Sequence, residues 1–141
     1  MTAAIEEARL SLAHGGIPIG AVLVNGGNII GRGHNCRVQT GSAIDHGEMN
    51  CLRNAGRLPG SVYRASTMYT TLSPCPMCSG AILLYRIPHV VVGENVTFLG
   101  AEDYLRQNGV KVDVVEDEEC IELMRAFIAA KPELWNEDIG V

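Results

Sequence analysis

Apolar positions along the chain alternate between two periods, and the changes of period mark the elements. Ile5, Ala8, Leu12 and Ala13 recur at helical spacing across residues 2–13, and Gly15-Gly16 ends the run. Residues 19–24 are almost continuously apolar and stop at Asn25-Gly26-Gly27, after which residues 28–33 return. That pattern predicts a hairpin, with the Gly pair supplying positive φ at the turn. Residues 46–55 read as a helix closed by Gly56, and residues 67–72 as a strand. The strand runs directly into Ser73-Pro74-Cys75-Pro76 and a helix that continues through Tyr85. Val90-Val91-Val92 predicts another strand and residues 110–115 a further one, with a helix over 101–108 between them. The clearest helix covers 117–130, where Cys120, Ile121, Met124, Phe127 and Ile128 form one stripe. Pro132 opens a last helical piece that ends near Gly140. A helix, a hairpin and then strands alternating with helices predict an α/β fold, a three-layer α/β/α sandwich with a mixed sheet of about five strands. No linker interrupts the pattern, so residues 1–141 are expected to form a single domain.

Composition narrows the function classes. Aromatic residues make up only 5% of a chain that is 47% hydrophobic, so the core must be built mainly from Val, Ile, Leu and Ala. Eleven Lys and Arg against 16 Asp and Glu leave a formal charge of −5. Gripping a polynucleotide takes cations that displace counter-ions from phosphates, usually as a basic patch. The acidic balance and scattered Arg residues favour a small-molecule substrate over nucleic acid, although an acidic surface kept for solubility explains the charge equally well. Five cysteines, two of them in a CxxC, do not suggest a secreted disulfide scaffold. The amphipathic, acidic N-terminus does not resemble a signal peptide, and no apolar run approaches the roughly 20 residues of a membrane span. The expectation is a cytoplasmic protein with no membrane partner.

Two short segments carry the candidate chemistry: His46-Gly47-Glu48 and Pro74-Cys75-Pro76-Met77-Cys78. The second falls at a strand-to-helix junction, with Pro76 suited to the first helical turn. Cys75 and Cys78 are three residues apart there, so both sulfurs can reach one ion, and the positive end of the helix favours thiolates. From the CxxC alone, a zinc site, a redox pair and two buried cysteines all remain open. His46 also stands at a predicted helix start, with Asp45 and Ser42 as capping groups just before it. One His and two Cys leave a tetrahedral zinc with one open position, the coordination of a catalytic rather than a structural site. Cys51 and Cys120 read as core residues, and Cys36 has no matching spacing. Glu48 lies about 200° around the helix from His46, badly placed to share the metal but able to flank its open position. There a carboxylate can move protons to and from a metal-activated water. Taken alone, Glu48 reads equally as a first-turn surface carboxylate.

His-x-Glu together with Pro-Cys-x-x-Cys is the established signature of zinc nucleobase deaminases. On these residues the chain resembles the cytidine deaminase-like superfamily, and within it most closely the fungal-type cytosine deaminases. The likeness extends through Gly16-Ile17-Pro18-Ile19-Gly20, Gly31-Arg32-Gly33-His34-Asn35, residues 69–75, Val92-Gly93-Glu94-Asn95-Val96 and Trp135-Asn136-Glu137-Asp138-Ile139-Gly140. The resemblance implies one Zn2+ per chain on His46, Cys75 and Cys78, and hydrolytic deamination of a free base, cytosine to uracil and ammonia, in pyrimidine salvage. It implies that Glu48 shuttles protons to N3 and to the departing amine. It assigns the base edge to Asn35 and the Gly47 backbone, the exocyclic amine to Asp138, and the pocket walls to Leu72, Ser73, Phe98 and Trp135. It also implies a homodimer paired through helices beside the metal.

The residues by themselves allow plainer readings. Asn35 could be a turn residue, Asp138 a solvated tail carboxylate, Trp135 core packing, and Met77 packing beside the CxxC. His34 reads as a satisfied structural histidine, and His14 and His89 as surface residues. The alternatives to cytosine are another free base or cyclic amidine, such as guanine, isocytosine or creatinine, and a non-catalytic zinc-binding module. Deamination of tRNA adenosine is disfavoured by the acidic charge and the lack of a basic C-terminal helix.

Overall fold

The predicted hairpin forms from β1 (Gly20–Asn25) and β2 (Asn28–His34), and Gly26 and Gly27 both take positive φ at its turn. The computed structural model describes residues 1–141. Five strands make one sheet in the order β2-β1-β3-β4-β5, where β3 is Ser66–Leu72, β4 His89–Glu94 and β5 Lys111–Val114. β1 pairs antiparallel with β2 and β3, whereas β3–β4 and β4–β5 are parallel, so the mixed sheet is as expected. The β1–β2 register shifts between Leu23 and Val24, which places Ile30 in a bulge.

Helices cover both faces. α1 (Thr2–Ala13) and α7 (Glu118–Ala130) pack on one, and α7 continues into α8 (Pro132–Asp138). The other is covered by α3 (Gly47–Ala55), α5 (Pro76–Leu84) and α6 (Glu102–Gln107). Two one-turn helices, α2 (Arg37–Thr40) and α4 (Gly60–Arg64), lie where the sequence pattern suggested no element. Neither is long enough to show an apolar period. Gly31 and Gly33 let α3 press onto β2. A Cβ on Gly33 would stand 2.3 Å from the Cys51 amide nitrogen, and one on Gly31 would stand 2.7 Å from Ala55 Cβ.

Strand register explains how the sheet carries both a core and a site. Leu23, Met68 and Val90 form one cross-strand row, and Ala21, Thr70 and Val92 the next. Most of these side chains join a buried cluster with Cys51, Ile82, Ile87 and Leu105 beneath α3, α5 and α6. Thr70 sits in the second row with the same orientation, and it turns a polar oxygen towards α3. A second cluster of Ile17, Ile19, Leu72, Met124, Phe127 and Trp135 packs under α7 and α8. No helix is long and apolar enough to cross a membrane.

Candidate active site

The two segments singled out in the sequence meet at the N-termini of two helices. His46 is the N-cap of α3 and Cys75 the N-cap of α5, with Pro76 in the first turn of the latter. Both therefore lie where unpaired amides and the helix dipole favour negative charge. The predicted capping role of Asp45 is not observed, because α3 has no side-chain cap. Fully buried, Asp45 instead accepts from the Arg53 guanidinium at 2.9 Å and the Asn50 amide at 3.3 Å, partners that satisfy its charge. It braces the His46 turn from the side.

The ligand atoms of His46, Cys75 and Cys78 lie within 4.8 Å of one another, and Cys75 Sγ is 3.6 Å from His46 Nδ1. Cys36, Cys51 and Cys120 are outside this cluster. Hydrogen bonding to Cys78, then to His46 and the Cys78 backbone N–H, holds the Cys75 thiol down at about 4 despite its burial. The same contact with Cys75, together with burial, keeps the Cys78 thiol well above its ordinary range. Burial pulls the His46 imidazole down, but Cys75, Asp138 and Glu48 together outweigh it and raise it. One imidazole and two thiols, one of them readily ionised, are the donor set of a zinc ion that keeps a fourth position open.

Glu48 is only 3% exposed, so it is not a surface carboxylate. Its Oε1 accepts from the Thr70 hydroxyl at 2.8 Å. Burial, then the charge of Cys75, raises its carboxyl above the usual range, against the opposing hydrogen bonds of its own backbone and Thr70. A buried carboxyl held above its usual range, beside a metal cluster it does not join, is placed to take up and release a proton.

A small, closely walled pocket opens onto these groups. Ile19, Leu72, Phe98 and Trp135 supply its apolar walls, and Ser73 and Ile139 complete them beside His46, Glu48, Cys75 and Asp138. Phe98 meets Trp135 edge-on, with ring centroids 5.6 Å apart. Asp138 is buried rather than solvated, with Oδ1 3.6 Å from His46 Nε2 and 3.6 Å from the Arg37 guanidinium. Its carboxyl is raised by burial, which the His46 charge, the Asn35 hydrogen bond and Arg37 partly offset.

Asn35 and Gly47 are not on the pocket lining. Asn35 donates to Asp138 Oδ1 at 2.7 Å and accepts the Arg37 N–H at 3.1 Å, so it is a turn residue that also braces Asp138. Gly47 packs against Ile19, whose carbonyl oxygen would lie 3.1 Å from a Cβ there. The Ser73 hydroxyl donates to Glu102 and accepts from the Gly100 N–H. His34 is satisfied by Glu7 at 2.8 Å, and His89 is half-buried and bonded to Asp113 at 2.7 Å. Sequence reasoning missed Thr70, Ile19, Ile139 and Arg37. For Thr70 a signal existed, since it continues the inward row that starts at Met68.

The family model described as "Cytidine and deoxycytidylate deaminase zinc-binding region" matches residues 1–94, which contain all three clustered ligands and Glu48. The chain belongs to this zinc-binding deaminase family. The deaminase is 56% identical over 138 residues to a cytosine deaminase of Candida albicans, covering 97% of this chain and 92% of that protein. It is 46% identical over 109 residues to a tRNA-specific adenosine deaminase of Streptococcus pyogenes, covering 76% of this chain and 68% of the relative. Its fold is similar to a solved structure from a study of A-to-I editing by tRNA:A34 deaminases, with a TM-score of 0.73 and 30% identity over 87% of this chain and 96% of the other. A guanine deaminase from Nitrosomonas europaea shares the fold at a TM-score of 0.71 and 22% identity, over 89% of this chain and 81% of that one.

Proposed function

We propose that this deaminase converts free cytosine to uracil and ammonia. One observation carries the reading: a single small pocket brings the His46–Cys75–Cys78 cluster, the buried carboxyl of Glu48 and the buried carboxylate of Asp138 together between apolar walls. The likeness to the Candida albicans enzyme, which runs over nearly the whole chain, supports cytosine as the base. The pocket is small and closely walled by Leu72, Phe98 and Trp135, which suits a free base better than a nucleoside.

His46, Cys75 and Cys78 would hold zinc, which would supply an activated water as the nucleophile. Glu48 takes one proton from the attacking water and delivers it to N3 of the ring. It then takes the proton of the hydroxyl left on C4 and gives it to the amine, so that ammonia leaves as the C4 carbonyl forms. Thr70 holds the Glu48 carboxylate. Asp138 accepts from the exocyclic amine, held in place by Asn35. Leu72, Phe98 and Trp135 pack on the ring and exclude water, the Ser73 backbone approaches its edge, and Gly47 adjoins the pocket through Ile19, the lining residue it packs against. Asn35 takes part in recognition through Asp138, whose carboxylate it holds.

The same reading includes a homodimer. The exposed Ile44, Leu84 and Tyr85 and the apolar groove between α3, α4 and α5 support it, and light scattering on the eluted protein tests it. Five free cysteines support a reducing, cytoplasmic location, and the proposed conversion of free cytosine to uracil carries the proposal of a role in pyrimidine salvage. The formal charge of −5 argues against a nucleic-acid partner. Ammonia release measured over cytosine, isocytosine, guanine, creatinine, cytidine and a tRNA substrate tests the substrate. Cytosine is expected to be turned over fastest, and a faster rate with any other member of the panel replaces this reading.

A further inference from the structure

The pocket wall that carries Phe98 has no regular secondary structure. It spans residues 95–101, from the end of β4 to the start of α6, and its Val96 and Leu99 side chains are exposed, so apolar burial gives it little hold. Buried carboxylates hold it instead. Glu94 accepts the Val96 N–H at 2.7 Å, the Thr97 N–H at 2.9 Å and the Thr97 hydroxyl, which closes the first turn. Glu102, only 2% exposed, acts at the other end. Its Oε1 accepts the Ser73 hydroxyl at 2.8 Å, and its Oε2 accepts the Asn95 amide at 3.4 Å and Arg106 at 3.2 Å.

Ser73 passes this hold on. Its Oγ accepts the Gly100 N–H at 2.9 Å, and the Ala101 N–H donates to the Pro74 carbonyl at 2.8 Å. A Cβ on Gly100 would stand 2.1 Å from that carbonyl oxygen, so the loop lies directly on the Ser73–Pro74 backbone. Glu102 thus ties Asn95 at the start of the loop to Gly100 at its end, through the residue that joins the Leu72 wall to the ligand Cys75. Burying a carboxylate is costly, and an apolar side chain would fill the same space more cheaply. Apart from Arg106, every hydrogen bond it accepts comes from a segment that walls the pocket.

The geometry points to Glu102 as a positioning residue for the deamination, which sets Phe98 and the Ser73 wall against the ring without touching the substrate. The assignment rests on the reading of the site as a cytosine deaminase. It is tested on the zinc-loaded enzyme with Glu102→Ala, Glu102→Gln, Phe98→Ala and the double variant Glu102→Ala/Phe98→Ala. Glu102→Ala is expected to raise KM for cytosine about tenfold with kcat within about threefold, the pattern of lost uniform binding. The amide of Glu102→Gln still accepts from Ser73, Asn95 can turn its own amide to match, and the part-exposed Arg106 can swing to solvent, so KM should stay within about twofold of wild type. In the Phe98→Ala background, Glu102→Ala should change KM by less than about twofold, because both act through one wall.

Trp135, the single Trp, stands edge-on to Phe98 and reports without substrate. Acrylamide should quench it more in Glu102→Ala and Phe98→Ala, and as in wild type in Glu102→Gln. Additive effects on KM, unchanged quenching in Glu102→Ala, or equal damage from the Gln and Ala variants overturns the assignment. If Glu102→Ala does not fold, Ser73→Ala removes the same link and must raise both KM and quenching. A wild-type enzyme that fails to deaminate cytosine defeats the substrate reading, while the quenching comparison still decides the role of Glu102.

Discussion

The 11-residue cluster under α3, α5 and α6 and the six-residue cluster under α7 and α8 are built from similar aliphatic residues, yet they border different chemistry. The first is closed. Cys51 within it behaves as a small apolar side chain, its thiol pushed up to about 12, chiefly by burial. The second has one side missing: Ile19, Leu72 and Trp135 pack on Met124 and Phe127 behind and face the pocket in front. The buried carboxylates Glu48 and Asp138 line that opening, and Asp45, Glu94 and Glu102, also buried, brace the segments behind it, each with hydrogen-bond partners. The closed cluster serves stability. The open one accepts desolvated charge to make a dry, oriented site, the trade expected where function overrides packing.

The sharpest way to break this comparison is to neutralise a carboxylate at the opening. Glu48→Gln should lower kcat by about 10²–10⁴-fold while retaining one zinc per chain and its thermal midpoint, and near-normal turnover would remove Glu48 from the proton path. A matching cut in the closed cluster should do the reverse. Ile82→Ala is expected to cost about 2–5 kcal/mol in urea unfolding, with kcat/KM of the folded enzyme within about twofold. If its kcat collapses instead, the two clusters are not separable. Asp138→Ala should reduce kcat/KM for cytosine roughly 10–100-fold, the range for one hydrogen bond to a charged group. An unchanged value would mean that α8 does not reach the amine.

Cysteine chemistry sharpens the comparison without altering rates in the intact enzyme. In protein stripped of metal, Cys75 is a thiolate at every pH above about 4, whereas Cys51 and Cys120 ionise only near about 12. Alkylation at neutral pH, read by mass spectrometry, should therefore mark Cys75 and spare the other two, and the Cys75 label should fall as pH drops through about 4. Zinc should protect Cys75, and equal labelling of Cys51 would show that the closed cluster is open.

Much of this was legible in order along the chain. The 3.6 and 2.0 periods located α1, the hairpin, β3, α5, β4 and α7 to within a residue or two, because each long element must bury one face or stripe. The metal ligands were legible because zinc imposes donor types and spacing on short segments, and the helix starts that hold them carry local signals. Glu48 was legible only as half of a motif, since a first-turn carboxylate looks the same whether solvated or buried.

What the sequence determined by itself is local: the element types, the mixed α/β architecture and the His46, Cys75 and Cys78 donor set. The tertiary structure alone decided which charges lose their water. It buried Asp138 against Asn35 across 103 residues of chain, set Thr70 under Glu48 through strand register, and recruited Glu102 to hold a loop that begins seven residues earlier. Those outcomes depend on desolvation and on partners brought together by the sheet, and neither is written in the spacing of residues along the chain.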